Sequence, residues 1–286
     1  MVILGEGRWH AVSLAAALAR RGLSSRRLAF VHLAFDPAAP GGLRCGPLAR
    51  PPRAVVVRAI AAGSFEQVTL RLGLLRAFAL SGIPVINPAR AIEACVDKSE
   101  ASFRLRLAGI PTPAVWVTED PARAREIVLA EASPARPLVA KPLFGAQGRG
   151  IVRVTGPHEL PSAEAVAGVW YLQRLVDRPE PCDYRVFVVD GEPVAAMCRR
   201  GRDWITNVRR GARGERWRPD AEAAELAVRA AAVLGTVFCG VDLVRDREGR
   251  TWVLEVNSMP AWRELVRASG VDVADRIARA VAERLA

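Results

Sequence analysis

The sequence predicts a mixed chain, with an α/β segment followed by segments of the α+β class. Over about the first 90 residues, short apolar runs alternate with Ala/Leu-rich stretches such as 11–21 and 65–81, which favours a parallel sheet. Farther on, apolar runs come in pairs across turn signals such as Asp190-Gly191, which indicates antiparallel hairpins. An apolar share of 51% over 286 residues is ample for a buried core.

Each predicted element follows from a local pattern. Short runs rich in Val and Leu predict strands, and Ala/Leu-rich runs that stop at glycine predict helices. Asp97 is expected to cap the helix that it begins. In chain order, strands are expected at 2–5, 28–33, 54–57, 85–86, 114–117, 138–141, 151–154, 169–176, 184–189, 193–198, 237–244 and 251–256, and helices at 11–21, 65–81, 97–107, 118–131, 220–234 and 273–285, with a Pro/Gly-rich loop over 36–52.

A glycine-rich loop follows a short apolar run in the middle of the chain. It holds Gly145, Gly148 and Gly150 within six residues, and glycine lets backbone N–H groups approach an anion closely. Lys141 precedes this loop, and Lys98 is the only other lysine among 41 lysines and arginines. A compact ammonium fits beside phosphate oxygens where a guanidinium does not. We therefore expect both lysines to hold a nucleotide, unless they are chance lysines on a solvated surface.

Two carboxylates face each other in the last predicted hairpin. Asp242 and Glu255 lie on its two strands, and Asn257, two residues beyond Glu255, points to the same face. Such hard oxygen ligands suit Mg²⁺ and substrate phosphates, and a cation would relieve the cost of burying unpaired carboxylates. The alternative is that the carboxylates pair with nearby arginines. Together with the lysines and the glycine loop, the cluster favours phosphoryl transfer, where catalysis is mostly positioning and charge neutralisation.

Composition narrows the class of protein. No apolar run approaches the roughly 18 residues of a membrane span, and the N-terminus lacks the pattern of a signal peptide. Five cysteines without a C-x-x-C pair favour reduced thiols and a cytoplasmic location, and three distant histidines disfavour a structural zinc site. The net charge of +11 raises nucleic acid as a partner. However, the densest basic segment, 199–218, could equally be a solvated surface or line a pocket for phosphates and carboxylates.

Ordered motifs between residues 54 and 262 resemble those of one family. The chain is similar to ATP-grasp carboxylate–amine ligases and, within them, to the RimK-type α-L-glutamate ligases. The resemblance is carried by residues 57–58, 63–64, 87–88, 97–98, 109–113, 141–150, 173–176, 183–189, 196–197, 207–211, 240–242 and 255–258. It implies an ATP-grasp fold with a pre-ATP-grasp α/β domain over 1–90, an N-lobe with the glycine-rich loop over 91–174, and a C-lobe with the magnesium and acceptor sites over 175–286.

The resemblance also implies roles for particular residues. ATP would phosphorylate a carboxylate, an amine would attack the acyl phosphate, and ADP and phosphate would leave. Arginine suits the oxyanions of these steps because its fork meets two oxygens at once. The implied ligands of ATP are Lys98, Lys141, Gly145, Gln147, Gly148, Gly150, Gln173, Arg174, Leu175, Val176 and Asp183; those of two Mg²⁺ ions, with Mn²⁺ as an alternative, are Asp242, Glu255 and Asn257; and the residues acting on the acyl phosphate are Arg210, Arg185 and Asn207.

Departures from the family pattern bear on the acceptor. The family often has Ser-Ser-Pro-Gly after the metal-binding asparagine, whereas this chain has Ser-Met-Pro-Ala-Trp over 258–262, and Ala146 replaces a usual serine. Both forms look more like the pterin-cofactor glutamate ligases than the ribosomal-protein modifiers. Trp262 is expected either to stack on a flat ring of the acceptor or simply to pack.

We therefore expect L-glutamate to be added to a small-molecule carboxylate, for example a tetrahydromethanopterin-like cofactor. The nearest alternatives are glutamylation of a protein C-terminus and ligation of another amino acid. In a different class, the chain could be a basic nucleic-acid-binding protein that keeps the fold. The carboxylates Asp242 and Glu255 disfavour that interpretation, because binding a phosphate backbone does not require them. The family tendency implies a homo-oligomer, a dimer or a tetramer, and no membrane partner is expected.

Overall fold

A computed structural model describes residues 1–5, 8–145, 148–206 and 211–285. The strands are β1 (Val2–Leu4), β2 (Arg26–Leu28), β3 (Leu33–Phe35), β4 (Leu43–Cys45), β5 (Val55–Val57), β6 (Val85–Ile86), β7 (Val115–Thr118), β8 (Leu138–Lys141), β9 (Val152–Val154), β10 (Trp170–Arg174), β11 (Cys182–Val189), β12 (Glu192–Arg200), β13 (Arg213–Arg216), β14 (Phe238–Arg245) and β15 (Thr251–Asn257). The helices are α1 (Arg8–Arg20), α2 (Phe65–Leu80), α3 (Ala89–Val96), α4 (Lys98–Leu107), α5 (Pro121–Glu131), α6 (Ala221–Val233), α7 (Arg263–Ser269) and α8 (Val273–Glu283).

The N-terminal sheet is parallel, in the order β2-β1-β5-β6, as the alternating pattern predicts. Alternate residues of a strand face opposite sides of the sheet. Leu4 and Val57 belong to the core that includes buried residues of α2, whereas Ile3 and Val56 belong to a second core that includes α1 and α8. Helix α8, near the end of the chain, therefore shares a core with the sheet that the first part of the chain forms.

The predicted strand over 28–33 is wrong in its extent. Strand β2 ends at Leu28, a 3₁₀ turn occupies Phe30–His32, and β3 begins at Leu33. This last strand pairs antiparallel with β4, inside the stretch predicted as loop. Side chains from both pieces are buried in one small core with α2, so tertiary packing outweighs the local pattern. Helices α3 and α7 and strand β13 were also not predicted.

Two antiparallel sheets follow. The middle sheet has the order β7-β10-β8-β9 and shares a core with α5. The C-terminal sheet has the order β13-β12-β11-β14-β15, with one core shared with α6 and another with α7 and α8. This arrangement sets the predicted glycine-loop strands beside the predicted carboxylate hairpin. In the described part of the chain, no helix is both long and apolar enough to cross a membrane.

A buried asparagine joins the N-terminal sheet to the β14–β15 hairpin. Asn87 follows β6 and is fully buried. Its Nδ2 donates to the carbonyl oxygens of Phe238 (2.8 Å) and Ser258 (2.6 Å). Its Oδ1 accepts from the backbone N–H groups of Val237 (2.7 Å) and Phe238 (3.0 Å). One side chain thus holds the beginning of β14 and the end of β15.

Asn87→Ala is expected to lower the free energy of unfolding by about 3 kcal/mol or more, because it leaves several buried backbone groups unpaired. Thermal or denaturant unfolding measures this change. Arg20→Ala is the matched control, since the Arg20–Asp272 pair also links α1 to the start of α8 but is solvent-exposed; it should cost less than about 1 kcal/mol. Equal costs for the two variants would contradict the assignment.

Candidate active site

A cleft that opens to solvent, with a cavity of about 140 Å³, lies between the middle sheet and the C-terminal sheet. It brings together residues that are far apart in sequence, including most of those predicted to hold the nucleotide. The lining residues are Lys98, Val139, Lys141, Pro142, Gly145, Gly148, Arg149, Ile151, Gln173, Arg174, Leu175, Val176, Arg178, Asp183, Arg199, Trp204, Ile205, Thr206, Asp242, Val244, Leu254 and Glu255. Three other predicted residues, Gly150, Arg185 and Asn257, are outside this lining.

Lys141 ends β8, and its ammonium points along the cleft. Nζ donates to Oε1 of Gln173 at 2.6 Å. Burial lowers the pKa of Lys141, while the negative charge of Glu255 acts in the opposite sense. Because a buried cation gains much from an anion, this position suits a phosphate group.

Lys98 is the first residue of α4, and Asp97 caps that helix as predicted. The Asp97 carboxylate accepts from the N–H groups of Ser99 (2.8 Å) and Glu100 (3.3 Å). Burial lowers the pKa of Lys98, against the charges of Glu255 and Asp97. The cap fixes where the helix begins and therefore where its first side chain lies.

The ammonium of Lys98 contacts the glycine-rich loop. Nζ donates to the carbonyl oxygens of Leu143 (3.1 Å) and Gly145 (2.9 Å). Gly150 has φ +66°, and a Cβ there would lie 2.8 Å from Cγ of Pro142, so this turn requires glycine. The loop is thus held by one of the two lysines that line the cleft.

In the hinge segment after β10, the Arg174 side chain and the Leu175 N–H bond to neighbouring parts of the chain. Arg174 lines the cleft, but its guanidinium bonds to the Glu131 carboxylate at 2.7 Å and lies over the ring of Trp116. The N–H of Leu175 donates to the carbonyl oxygen of Pro137 at 3.1 Å. Strand β10 ends at Arg174 rather than at residue 176, so the predicted hinge is partly a loop.

A chain of ion pairs crosses the floor of the cleft. Arg185 binds Asp242 with two bonds of 2.7 Å, from Nε and from Nη2. Arg199 binds Asp183 through Nε at 2.5 Å and Nη2 at 2.9 Å, and its Nη2 also lies 3.0 Å from Oδ2 of Asp242. The Thr206 hydroxyl donates to Asp183 as well. Both carboxylates are therefore bound by arginine in this structure.

Burial and pairing act oppositely on the two aspartates. Burial alone would raise the pKa of Asp242, but the charges of Arg185 and Arg199 outweigh it and lower that pKa to about 2. For Asp183, burial outweighs the charge of Arg199 and raises the pKa of the carboxyl group. Asp242 is therefore the carboxylate that stays ionised most readily, which is the state that a metal ion requires.

Asp242, Glu255 and Asn257 come together as predicted from the hairpin. Asp242 is directly opposite Glu255 across β14 and β15. Nδ2 of Asn257 donates to Oε1 of Glu255 at 3.0 Å and lies 3.5 Å from Oδ2 of Asp242. Two carboxylates and an amide are hard oxygen donors that fit Mg²⁺. Asp242 would have to exchange arginine N–H groups for the cation, so the predicted pairing with arginine and a metal role are competing states of one residue.

Some predictions fall elsewhere. Gln147, Asn207 and Arg210 lie outside the described residues, so their roles stay predictions. Trp262 is fully buried and packs against His10 and Phe187, so the expected stacking on an acceptor ring is wrong and the packing alternative is confirmed. Groups of three or more His, Cys, Asp and Glu side chains suited to a metal are not found among the described residues.

Two arginines of the cleft were not singled out in the sequence. Arg199 binds both aspartates, and Arg178 donates to the carbonyl oxygen of Cys182 at 2.7 Å and also to that of Trp204. Trp204 itself lines the cleft, beside apolar side chains such as Leu254. The dense basic segment 199–218 suggested that some arginines line a pocket, but the sequence does not indicate which of them point into the cleft.

The fold and the cleft define an ATP-grasp enzyme, in which two α+β lobes enclose paired lysines and an acidic hairpin. Residues 95–281 match the RimK-like ATP-grasp domain, and the chain belongs to that family. The family and fold predicted from the sequence are thereby confirmed, and ATP and Mg²⁺ are the cofactors of this class.

Two curated relatives are named tetrahydromethanopterin:alpha-L-glutamate ligase. The one from Methanocaldococcus jannaschii is 38% identical over 207 residues, 68% of this chain and 69% of its own. The one from Methanococcus maripaludis is 35% identical over 203 residues, 68% of each chain. A probable alpha-L-glutamate ligase from Thioalkalivibrio sulfidiphilus is 34% identical, covering 74% of this chain and 75% of its own.

Solved structures share the fold over the whole chain. The ATP-grasp ligase PsnB, solved with a precursor variant, Mg and ADP, has a TM-score of 0.73 at 22% identity, covering 100% of this chain and 98% of its own. The D-cycloserine synthetase DcsG has a TM-score of 0.74 at 21% identity, covering 100% and 99%. At these identities the likeness concerns the fold alone.

Proposed function

We propose that this ATP-dependent ligase joins L-glutamate to a carboxylate of a small molecule, through an acyl phosphate, with release of ADP and phosphate. The observation that carries the proposal is the meeting of Lys98 and Lys141 with Asp242 and Glu255 in one cleft. The names of the curated relatives support glutamate as the amine. A tetrahydromethanopterin-like acceptor is the favoured substrate for the same reason.

The two lysines bind the phosphates in this proposal. Lys141 is already oriented by Gln173, and Lys98 would exchange its bonds to Leu143 and Gly145 for phosphate oxygens. That exchange links nucleotide binding to the position of the glycine-rich loop. A closed loop excludes water, which protects an acyl phosphate from hydrolysis.

The hairpin would hold two Mg²⁺ ions through Asp242, Glu255 and Asn257. Magnesium, when bound, neutralises the charge that develops on the transferred phosphoryl group. If Asp242 held Mg²⁺, the guanidinium of Arg185 would give up its two bonds to that carboxylate. Arg185 would then be free to bind the acyl phosphate and its tetrahedral successor, together with Arg210 and Asn207.

A second candidate function is ligation of another amino acid or modification of a protein C-terminus. A relative named Alpha-aminoadipate--LysW ligase LysX supports this second candidate function. It is 28% identical over 211 residues. A nucleic-acid-binding role is disfavoured because binding a phosphate backbone does not require the carboxylates Asp242 and Glu255 that line the cleft. Steep salt dependence of RNA affinity without acceptor-dependent ADP release would favour that role instead.

The test is a screen for ADP release by the purified chain with ATP, Mg²⁺, single amino acids and candidate acceptors. We expect release that depends on both L-glutamate and an acceptor, and a product heavier by one glutamyl residue in mass spectrometry. Glu255→Gln should lose the Mg²⁺-dependent turnover and serves as the inactive control. An added mass other than glutamyl would refute the amine assignment, and wild-type turnover in the control would refute the metal site.

A further inference from the structure

Arg58 is a buried cation with unsatisfied donors. It follows β5 and is only 5% exposed. Nη2 donates to the carbonyl oxygen of Pro260 at 2.8 Å, but Nε and Nη1 have no hydrogen-bond partner within the described residues. Burial lowers the pKa of Arg58 to about 9. A buried donor left unpaired destabilises a fold, so this guanidinium calls for an explanation.

Another deeply buried arginine, Arg199, has carboxylate partners. Arg199 is also 5% exposed, and it bonds to the carboxylates of Asp183 and Asp242. Arg185, which is nearly as buried, binds Asp242 with both sides of its fork. For Arg58, the described residues supply a carbonyl and aromatic faces but no carboxylate. Its missing partner is therefore an anion that the described part of the chain does not provide.

The surroundings of Arg58 favour an anion. Its guanidinium carbon lies 4.1 Å from the centre of the Trp262 ring. His10 packs on that same ring, and its Nε2 accepts from the backbone N–H of Trp262 at 3.1 Å. Burial, together with Arg58 and Arg263, lowers the pKa of His10 to about 4, so the imidazole is neutral and carries its proton on Nδ1. Donors and positive charge thus converge here.

The position of Arg58 in the fold also favours an anion. The sheet order β2-β1-β5-β6 changes direction between β1 and β5, so the carboxyl ends of these strands meet at a topological switch point. Ligands of open parallel sheets bind at such crevices. Gly5 follows β1 and Arg58 follows β5, while α1, with no acidic residue in its first turn, begins just beyond. The N-terminus of a helix adds to the positive potential at that edge.

The same residue is connected to the reaction centre. Its partner Pro260 lies against Gly240 on β14, because a Cβ placed on Gly240 would be 3.1 Å from Cβ of Pro260. The same point is 3.4 Å from Cδ and from Nε of Arg185. Arg58 and the Asp242-bound Arg185 therefore lie on either side of the Pro260–Gly240 contact. A ligand held by Arg58 would extend toward the place where the new bond forms.

We propose that Arg58 binds a carboxylate of the amino-acid substrate, at the switch point of the N-terminal sheet. The inference rests on the proposed function, because L-glutamate reacts only through its amine and brings two carboxylates that do not react. These need cations away from the carboxylate-rich hairpin. Nη2 gives one hydrogen to Pro260, and its other hydrogen can act together with Nε or with Nη1 on one carboxylate, which is the geometry of charge-assisted bidentate pairing. Nothing in the sequence pattern distinguished Arg58 from the other arginines of the chain in this respect.

The test measures binding of L-glutamate by calorimetry to the full chain saturated with ADP and Mg²⁺. Arg58→Gln can keep the bond to Pro260 but loses the charge, and we expect its Kd for L-glutamate to rise about tenfold or more. Its Kd for ADP should stay within about twofold of the wild type. Arg53→Gln removes an exposed arginine before β5 and should leave both constants unchanged. Glutarate, which has both carboxylates and no amine, should compete with L-glutamate in the wild type.

The outcomes separate this inference from the proposed function. If the wild type binds L-glutamate and Arg58→Gln binds it equally well, the inference fails while the function stands. If the wild type neither binds L-glutamate nor releases ADP in its presence, the proposed function fails. A higher KM for the acceptor alone would overturn the assignment to the amino acid.

A second variant of Arg58 keeps the test informative if Arg58→Gln does not fold. If Arg58→Gln fails to bind ADP, Arg58→Lys carries the test, because it keeps the charge beside Trp262 but not the fork. A single ammonium cannot replace bidentate pairing, so its Kd for L-glutamate should still rise several-fold. An unchanged Kd for this variant would contradict the proposal.

Discussion

Replacing Asp242 by asparagine is expected to lower kcat by about 10²-fold or more and to destabilise the chain. The carboxylate is buried between Arg185 and Arg199, so its loss leaves two guanidinium groups around a neutral amide. Breaking a buried pair in this way costs about 3–5 kcal/mol. The catalytic loss follows because the metal site loses a charged ligand, and loss of one electrostatic group at the reacting atoms typically costs 10²–10³-fold. Steady-state ADP release and thermal unfolding measure the two effects.

Asp246→Asn is the matched control for this variant. Asp246 is also buried and lies just past β14, where it accepts from the backbone N–H of Arg250 (2.8 Å) and the indole N–H of Trp252 (3.0 Å). It should lower stability without an effect on kcat at temperatures where the chain is folded. Asp242→Asn with wild-type turnover under those conditions would remove Asp242 from the proposed active site.

Lys141→Arg is expected to weaken ATP binding about 100-fold although the charge is kept. Nζ of Lys141 lies 2.6 Å from Oε1 of Gln173 in a partly buried position at the end of β8. A planar guanidinium is larger and presents its donors in a fork, so it cannot occupy the same point beside a phosphate oxygen. The expected loss corresponds to about 2.8 kcal/mol, at about 1.4 kcal/mol for each factor of ten. Titration with a non-hydrolysable ATP analogue gives the affinity.

The control for charge and sheet position is Arg153→Lys. Arg153 is exposed on the neighbouring strand β9, and the exchange there should change nucleotide affinity by less than about twofold. A normal ATP affinity for Lys141→Arg would show that the lysine is not in contact with phosphate. Loss of affinity in both variants would indicate a general perturbation of this sheet rather than the loss of a phosphate contact.

The sequence predicted most strands and helices, because short apolar runs and glycine stops are local signals. It also predicted that Asp242, Glu255 and Asn257 meet, since they share one face of a hairpin. The extent of β2 could not be predicted, because Phe30 and Leu33 are buried by contacts with distant residues. Helix α3 was not predicted because Asn87-Pro88 was interpreted as the end of a strand rather than as the start of a helix.

The role of Arg199 could not be predicted from the sequence for a different reason. Counting back from the Asp190-Gly191 turn pairs Val189 with Glu192 and would place Asp183 opposite Cys198. A bulge after Phe187 shifts the register by one residue, so that Arg199 faces Asp183 instead. A shift of one residue turns every side chain beyond it to the other face. The bulge has no local signal in the sequence, and the ion pairs of the cleft depend on it.

The shared core of α1 and α8 bears on how the chain is made. During synthesis the strands of the N-terminal sheet emerge first, but the core that contains Ile3 and Val56 is completed only when α8 leaves the ribosome. The nascent chain therefore carries an uncovered apolar face through most of translation, and such faces attract chaperones and promote aggregation. The N-terminal sheet thus completes its core only with a helix that is translated much later.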